Sequence, residues 1–529
     1  MKAKKAKILV SDEISKEGIE MLKSDADVDF LPGLAKDDLI SKIDSYDALV
    51  VRSQTEVTED VVSAGSRLKV IGRAGSGVDN IDVDAATKGG VIVINAPEGN
   101  TISTAEHTIA MMMAMSRNIP QADLSLKSKK WVRKKYIGTE VNEKVLGVVG
   151  LGRVGSEVAK RALGIGMKVV AYDPFISEEK LKKLGIDLLR LGEIIRKADY
   201  ITVHTPLTDD THNLIGEKEF KNMKDGVRII NCARGGIINE KSLLKAIKEG
   251  KVAGAALDVF ENEPPVDSEL LDCDKIIVTP HIGASTKEAQ FNVAVIIADQ
   301  VIKALKGEPV KNAINMLSVK PEAFESIKPY LLLAEKMGSL SAQLITGHIG
   351  SVEVEYSGEI SEKDTRVITI SMLKGLLDPI LGSNVNFVNA PLIAKNRGIK
   401  IVESKTETVE SFISLITLRL DTDKETKKVA GTLFGKDDAR IVKIDEYRVD
   451  AKPSGYMLIS KYKDKPKVIG PVGLILGEND INIAGMQVGR ESIGGDAIMV
   501  LNIDSPVQKS VLNKLNKVDG IKEIQLVKF

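Results

Sequence analysis

The chain contains few of the residues that would indicate a disulfide framework or a metal centre. Its 529 residues include two cysteines, five histidines and one tryptophan, and only 4% are aromatic. Cys232 and Cys273 are far apart and lie in strand-like contexts, which argues against a disulfide framework or a zinc site and fits a reducing compartment. We therefore expect no metal and interpret both cysteines as small buried hydrophobes.

Net charge and long apolar segments are also lacking. The 74 Lys and Arg residues balance 74 Asp and Glu residues, so the overall field gives no reason to expect nucleic-acid or membrane binding. The basic N-terminus is not followed by the apolar segment of a signal peptide, and no run approaches the roughly 18 apolar residues of a membrane span. We expect a soluble, cytoplasmic protein with no nucleic-acid and no membrane partner.

A dinucleotide-binding pattern is present. The apolar run 145–149 leads into Gly150-x-Gly152-x-x-Gly155, in which the glycines allow a tight turn, a close approach to a pyrophosphate and close helix–strand packing. Asp173 ends the next apolar run, where its carboxylate can bind an adenosine ribose and would repel the 2′-phosphate of NADP. The ordered strand, glycines, helix, strand and acid argue against an ordinary glycine-rich loop and predict NAD as the cofactor.

Short apolar runs alternate with helical patterns on both sides of this motif, over 7–96 and 144–282. Such runs indicate parallel sheets buried on both faces. A long helix from 286 to about 306 can return to the first unit, which makes the N-terminal domain discontinuous. We also predict helices at 103–116, 322–345 and 366–381, and strands such as 352–356.

The last module begins after the break at 453–455. Its pattern predicts strand, helix, strand, strand, helix and strand, which is the ferredoxin-like split βαβ order. The predicted elements cover residues 456–462, 468–477, 483–488, 496–503, 507–518 and 521–527.

Three polar residues follow predicted strands of the nucleotide domain. They are Arg234, Glu263 and His281, and strand carboxyl ends are where open α/β sheets bind ligands. A histidine can accept a hydroxyl proton near neutral pH, a carboxylate can orient it, and a guanidinium can bind a carboxylate through two hydrogen bonds. Taken singly, each also fits an ordinary loop, turn or helix-entry residue.

Longer motifs connect these residues to a family. The sequence resembles the D-isomer-specific 2-hydroxyacid dehydrogenases nearly end to end, and within them the long branch that oxidises phosphoglycerate and carries a C-terminal ACT domain. Besides the glycine motif, the resemblance rests on residues 73–80, 204–208, 231–236, 258–264 and 280–286.

The resemblance implies the fold class and the domains. It is an α/β fold with a Rossmann doubly wound NAD domain inserted in a flavodoxin-like substrate domain, followed by an α+β intervening domain and a ferredoxin-like ACT domain. The corresponding residues are 1–98 with 287–316 for the substrate domain, 99–286 for the NAD domain, 317–452 for the intervening domain and 453–529 for the ACT domain.

The resemblance also implies roles for individual residues. His281 is the expected acid/base, Glu263 its partner, and Arg234 the group that binds the substrate carboxylate. The expected cofactor-binding residues are Ser76, Gly150, Gly152, Arg153, Val154, Gly155, Asp173, Thr205, Cys232, Arg234, Asp258, His281 and Gly283. The expected substrate-binding residues are Arg52, Ser53, Arg73, Gly75, Asn100, Arg133 and Lys134.

A phosphorylated substrate requires additional cationic donors. Arg52, Arg73 and the basic stretch 129–135 are candidates, although a basic stretch of this kind is equally typical of a solvated surface. The resemblance implies NAD-dependent oxidation of 3-phospho-D-glycerate to 3-phosphohydroxypyruvate, the first step of the phosphorylated route to L-serine. The alternatives are a dehydrogenase for glycerate or another D-2-hydroxyacid, and an NAD-sensing binding protein.

The resemblance further implies regulation and assembly. Tyr462, Asp464 and Asn482 match positions that bind serine in some relatives, so serine is a candidate effector. The usual Pro-Gly after the aspartate reads Pro466-Lys467 here, and lysine is less suited than glycine to a close backbone approach. Relatives are dimers or tetramers, and we expect a homo-oligomer.

Overall fold

The computed structural model describes residues 5–177, 185–382, 384–408 and 411–529. Its strands form four sheets, each built from one part of the chain. The two N-terminal sheets carry the candidate site, and the two C-terminal sheets belong to the predicted intervening and ACT modules.

The first sheet is parallel, with strand order β2-β1-β3-β4-β5. This order is flavodoxin-like, as predicted. Its strands and helices are β1 (Lys7–Val10), α1 (Lys16–Asp25), β2 (Asp27–Phe30), α2 (Lys36–Ile43), β3 (Ala48–Val51), α3 (Glu59–Ala64), β4 (Val70–Arg73), α4 (Val83–Lys88) and β5 (Ile92–Asn95).

Two helices, α5 (Thr101–Ser116) and α6 (Ile119–Lys127), and a 3₁₀ turn at Arg133–Tyr136 precede the second sheet. This sheet is also parallel and has the order β12-β11-β10-β9-β6-β7-β8, which is the Rossmann order. Its elements are β6 (Val145–Val149), α7 (Arg153–Gly164), β7 (Lys168–Tyr172), β8 (Asp187–Leu188), α8 (Leu191–Lys197), β9 (Tyr200–Val203), α9 (Glu217–Asn222), β10 (Val227–Asn231), α10 (Glu240–Lys248), β11 (Val252–Leu257) and β12 (Ile276–Val278).

Helix α11 (Lys287–Leu305) returns the chain to the first sheet. Its Ile297 and Val301 are fully buried, and a Cβ at Gly72 of β4 would lie 2.6 Å from Val301. The helix therefore packs directly on β4, as expected for a discontinuous first unit.

The third sheet has six strands in the order β14-β13-β15-β16-β17-β18 and is mixed, because only the β13–β14 pair is parallel. The sequence analysis specified one strand here, at 352–356, and did not specify the others. The elements are α12 (Pro321–Leu344), β13 (Ile349–Gly358), a 3₁₀ turn (Glu359–Glu362), α13 (Arg366–Leu381), α14 (Ala390–Asn396), β14 (Lys400–Thr406), β15 (Ser414–Thr422), β16 (Thr426–Phe434), β17 (Asp438–Ile444) and β18 (Tyr447–Ala451).

The fourth sheet is antiparallel, with order β20-β21-β19-β22, and confirms the ferredoxin-like arrangement. One face packs on its own helices, and the other face joins the core of the third sheet through residues such as Met457 and Val527. The two modules therefore share a hydrophobic core. The elements are β19 (Tyr456–Lys463), α15 (Ile469–Gly477), β20 (Ile483–Arg490), β21 (Asp496–Ile503), α16 (Lys509–Leu515) and β22 (Ile521–Lys528).

Two glycines allow α12 and α13 to pack at very close range. A Cβ added at Gly375 would lie 1.9 Å from the carbonyl oxygen of Glu335, and one at Gly338 would lie 2.2 Å from that of Met372. Protein interiors are too densely packed to absorb such overlaps without movement of the backbone.

Gly375→Ala should therefore lower the stability of the C-terminal half by about 1–3 kcal/mol, because the added methyl group forces the two helices apart. The matched control is Gly473→Ala on α15, where an added Cβ meets no atom within 4 Å. That control should be neutral or stabilising by up to about 1 kcal/mol, because alanine is the better helix former. Calorimetric unfolding of both variants measures the effect, and equal melting temperatures would contradict the packing described.

Candidate active site

His281 and Glu263 form a hydrogen-bonded pair beyond the carboxyl ends of β12 and β11. The Nδ1 atom of His281 lies 2.7 Å from Oε2 of Glu263, and the other carboxylate oxygen accepts from the Phe260 amide at 3.1 Å. Burial raises the pKa of Glu263, but these hydrogen bonds outweigh it, so the pKa lies below its usual value. Glu263 is thus an anionic partner that orients the imidazole and leaves its Nε2 atom available.

The buried Asp258 carboxylate holds the loop on which His281 lies. Its side chain is 1% exposed, and it accepts hydrogen bonds from the amides of Ile282 and Gly283, each at 2.8 Å. The His281 amide donates to the Asp258 carbonyl oxygen at 2.9 Å. Asp258, predicted as a cofactor contact, therefore lies beneath the loop and shapes it, and Gly283 is part of the same loop.

Two further side chains of this network were not identified from the sequence. The Oγ1 atom of Thr279 donates to Asp258 at 2.6 Å, and Nε2 of His107 on α5 lies 3.2 Å from the same carboxylate oxygen. Burial raises the pKa of Asp258, but the hydrogen bonds from His107, Thr279 and the loop lower it below its usual value overall. No local motif marks His107, because its partner lies far along the chain.

Three arginines converge at the cleft between the two N-terminal sheets. Burial, together with the charges of Arg234 and Arg52, lowers the pKa of Arg73 to about 10. Arg234 extends from the second sheet to the first, where its Nε donates to Asp79 at 3.0 Å. A Cβ added at Gly77 would lie 2.0 Å from the Nη2 atom of Arg234, so the guanidinium packs directly on this glycine. Arg234 therefore spans the cleft, and the arginine cluster, defined as Arg52, Arg73 and Arg234, concentrates positive charge there.

The glycine motif forms a cradle open to a ligand. Gly150 has φ +91, and a Cβ on Gly155 would lie 2.0 Å from the Gly150 carbonyl oxygen, so neither position admits a larger residue without strain. A Cβ on Gly152 would meet no atom within 4 Å. The Oγ1 atom of Thr205 is buried without a hydrogen-bond partner among the described residues. Open space at a helix N-terminus and an unpaired hydroxyl fit a bound pyrophosphate.

The remaining predicted cofactor residues surround this cradle. Asp173 follows β7, and its carboxylate accepts from the amides of Leu151 at 2.8 Å and Phe175 at 2.9 Å, which fixes its orientation. Arg153 is exposed and Val154 is partly buried at the start of α7. The residues present therefore fit NAD.

Two buried groups near the cradle are chemically inert. Burial, with the nearby charge of Asp258, raises the pKa of Cys232 to about 12, so its thiol stays protonated. Burial lowers the pKa of His204 to about 4, so its imidazole is neutral near neutral pH. The His204 imidazole is therefore a weak base, and the Cys232 side chain carries little of the reactive thiolate.

The structure brings some predicted substrate residues together and separates others. Asn100 accepts a 2.5 Å hydrogen bond from the hydroxyl of Ser76, which was predicted as a cofactor-binding residue. Gly75 lies against the Arg73 guanidinium, and Ser53 is exposed in the loop after β3. The remaining two, Arg133 and Lys134, are exposed on the 3₁₀ turn, and neither hydrogen-bonds to the arginine cluster among the described contacts.

The predicted effector residues do not converge within one chain. Tyr462 is 1% exposed in the core of the fourth sheet, whereas Asp464 binds Arg490 at 3.1 Å beyond the end of β19. Asn482 donates to Asp504 at 2.7 Å, at the opposite end of that sheet. Lys467 has φ +69, a left-handed conformation that favours glycine.

Comparisons with known proteins place the chain in a family. The sequence model described as D-isomer specific 2-hydroxyacid dehydrogenase, NAD binding domain, matches residues 109–283. A relative from Archaeoglobus fulgidus named D-3-phosphoglycerate dehydrogenase is 49% identical and covers 97% of this chain and 98% of that relative. The chain belongs to the D-isomer-specific 2-hydroxyacid dehydrogenase family. A second sequence model, D-3-phosphoglycerate dehydrogenase intervening domain, matches residues 326–445.

Further similarities cover the whole chain or its catalytic half. A Bacillus subtilis protein, also named D-3-phosphoglycerate dehydrogenase, is 47% identical over 98% of this chain and 99% of that protein. The solved structure of Aquifex aeolicus D-lactate dehydrogenase with NAD and lactic acid is 29% identical, with a TM-score of 0.52, and covers 57% of this chain and 96% of that chain. This structural similarity therefore covers a little more than half of this dehydrogenase.

The described residues contain neither a candidate membrane-spanning helix nor a candidate metal site. None of the described helices combines the length and apolar character needed to cross a bilayer. No group of three or more His, Cys, Asp or Glu side chains within the described ranges is arranged to bind a metal ion.

Asp258→Asn should lower stability near neutral pH by about 1–3 kcal/mol, because it weakens a buried, charged hydrogen-bond acceptor. Since folding lowers the Asp258 pKa, its contribution is complete above the unfolded pKa of about 3.9 and is lost as pH falls through the lower folded value. The gap in melting temperature between this variant and the wild type should therefore narrow as the pH falls below about 3.9. The exposed Asp267→Asn is the control, and a gap independent of pH would refute the assignment.

Proposed function

We propose that this dehydrogenase oxidises 3-phospho-D-glycerate to 3-phosphohydroxypyruvate with NAD, the reaction that begins the phosphorylated route to L-serine. The observation that carries the proposal is the arginine cluster and its place in the site. Arg234 joins Asp79 of the first unit, and the next residue, Gly235, packs against Phe260, whose amide is bound by Glu263. The names of the full-length relatives support the same substrate.

His281 is the proton acceptor in this proposal. Its Nδ1 is held by Glu263 at 2.7 Å, so its Nε2 can accept the proton of the C2 hydroxyl. The Glu263 carboxylate stabilises the imidazolium that results. Bound NAD would supply the acceptor for the C2 hydride. The Asp258-bound loop keeps the imidazole in place, which is the kind of orientation that lowers a barrier.

The arginine cluster suits a substrate with two anionic groups. Arg234 belongs to the sheet that carries His281 and Glu263, so it is the group proposed to bind the substrate carboxylate. Guanidinium groups bind carboxylates and phosphates through paired hydrogen bonds. Arg52 and Arg73 are then available for the phosphate, which lies at the other end of this substrate.

An exposed apolar surface supports assembly of several copies. On and after α6, Trp131 is 76% exposed, Ile137 81%, Leu124 67% and Leu126 57%. Apolar surface of this kind marks protein interfaces. We propose that it forms a homodimer contact, and that the basic 3₁₀ turn beside it is part of that contact; a tetramer through the C-terminal module is an extension of the same proposal.

Serine regulation and a cytoplasmic location remain predictions. A serine site built from Asp464 and Asn482 requires a second copy, since one chain places them at opposite ends of the sheet. The two free cysteines are compatible with a reducing compartment.

The substrate can be tested by steady-state NAD reduction. We expect turnover with 3-phosphoglycerate and a much lower kcat/KM with D-glycerate, because the phosphate has cationic partners in the site. Equal kcat/KM for the two would favour a general glycerate dehydrogenase, and no NADH formation with a panel of 2-hydroxyacids would favour an NAD-sensing binding protein.

Added serine should inhibit turnover, and Asp464→Asn should remove that inhibition if the effector prediction is correct.

His281→Asn should lower kcat by about two to four orders of magnitude, because it removes the proton acceptor. NAD affinity should change little, since the nucleotide cradle is untouched. The control is His348→Asn, an exposed histidine in the third module. Near-normal turnover of the His281 variant would show that another group accepts the proton.

A further inference from the structure

The loop after β3 carries Arg52 into the arginine cluster. Arg52 is partly buried, Ser53 is exposed, and Thr55, at the end of the loop, is 7% exposed. A loop at the mouth of a cleft is mobile unless its backbone groups are bound. Here the backbone is bound on both sides.

Asp12 binds the amide side of the loop. It follows β1, is 1% exposed, and accepts hydrogen bonds from the backbone amides of Arg52 at 2.5 Å and Thr55 at 3.2 Å. The other carboxylate oxygen of Asp12 accepts a hydrogen bond from the Thr55 hydroxyl at 2.7 Å. The hydroxyl of Ser11 lies 3.0 Å from the Thr55 hydroxyl oxygen. A buried carboxylate with several donors is a strong and directional anchor.

Asn80 binds the carbonyl side of the same loop. Its Nδ2 donates to the carbonyl oxygens of Arg52 at 2.8 Å and Thr55 at 2.6 Å. Asn80 adjoins Asp79, which holds Arg234 at 3.0 Å. The turn after β4 is thus connected to two members of the arginine cluster at once.

The charge of Asp12 contributes as well. The Asp12 charge raises the pKa of Arg73, whereas the neighbouring guanidiniums of Arg234 and Arg52 lower it. Asp12 is therefore a buried counter-charge to the cluster. Both of its carboxylate oxygens accept hydrogen bonds from the loop. Asp12 therefore combines a structural role in the loop with a favourable charge beside the cluster.

We propose that Asp12, Thr55 and Asn80 are positioning residues that hold Arg52 in place to bind the phosphate of the substrate. None of the three touches the substrate; each acts through the backbone of the Arg52 loop. The inference rests on the proposed function. Its consequence is that loss of one of these hydrogen bonds weakens substrate binding, while the proton transfer at His281 is unaffected.

Thr55→Val is the main test, because valine has the same shape and lacks only the hydroxyl. The KM for 3-phosphoglycerate should rise about fivefold, because the loop loses the hydroxyl's hydrogen bond to Asp12, with kcat and the KM for NAD nearly unchanged. Thr55→Ser keeps the hydroxyl and should restore a KM close to that of the wild type. A general packing defect would not be rescued by serine and would alter the KM for NAD as well.

Asn80→Ala provides a second test from the other side of the loop, in case Thr55→Val does not fold. It should also raise the KM for 3-phosphoglycerate without lowering kcat. Folding of each variant is checked by its melting temperature. An unchanged KM for 3-phosphoglycerate in either folded variant overturns the inference. Absence of turnover by the wild type would instead overturn the proposed function, so the two failures are distinguishable.

Discussion

The candidate site depends on the polarity of two parallel sheets. In such sheets all strand carboxyl ends lie at one edge, where loops are free to carry polar groups. Asp12, Arg52 and Arg73 lie at this edge of the first sheet, as do Glu263 and His281 at that of the second. Because the two edges face one cleft, residues far apart in sequence become neighbours. The Arg234–Asp79 ion pair crosses that cleft.

The C-terminal modules are connected to the first sheet by its edge strand. The segment after α11 pairs with β5, since the Ile314 amide donates to the Val93 carbonyl oxygen at 2.8 Å and the Asn315 side chain accepts from the Val93 amide at 2.9 Å. A second contact joins Asn386 to the carbonyl oxygen of Gly90 at 2.7 Å. The third and fourth sheets then share a core, so the C-terminal half meets the substrate domain near one strand.

Local patterns predicted much of the fold. The apolar runs, the glycine motif and the split βαβ order were enough for both parallel sheets and the last module, because period and turn residues are local properties. The predicted helix at 366–381 coincides with α13, and the helix predicted at 507–518 is shorter, at Lys509–Leu515. Most strands of the third sheet escaped prediction. The pairs that β13 makes with β14 and β15 join residues far apart along the chain, whereas β15 to β18 pair with their neighbours in sequence through short turns that were not identified.

The sequence by itself determined which residue types stand at strand ends, and therefore the family and the candidate Arg234, Glu263 and His281. Only the tertiary structure decided what lies beneath and beside them. The His107–Asp258 contact and the clamp on the Arg52 loop join residues from different elements, with no local spacing to mark them. The separation of Asp464 from Asn482 is also a tertiary result, because strand register places them at opposite ends of one sheet.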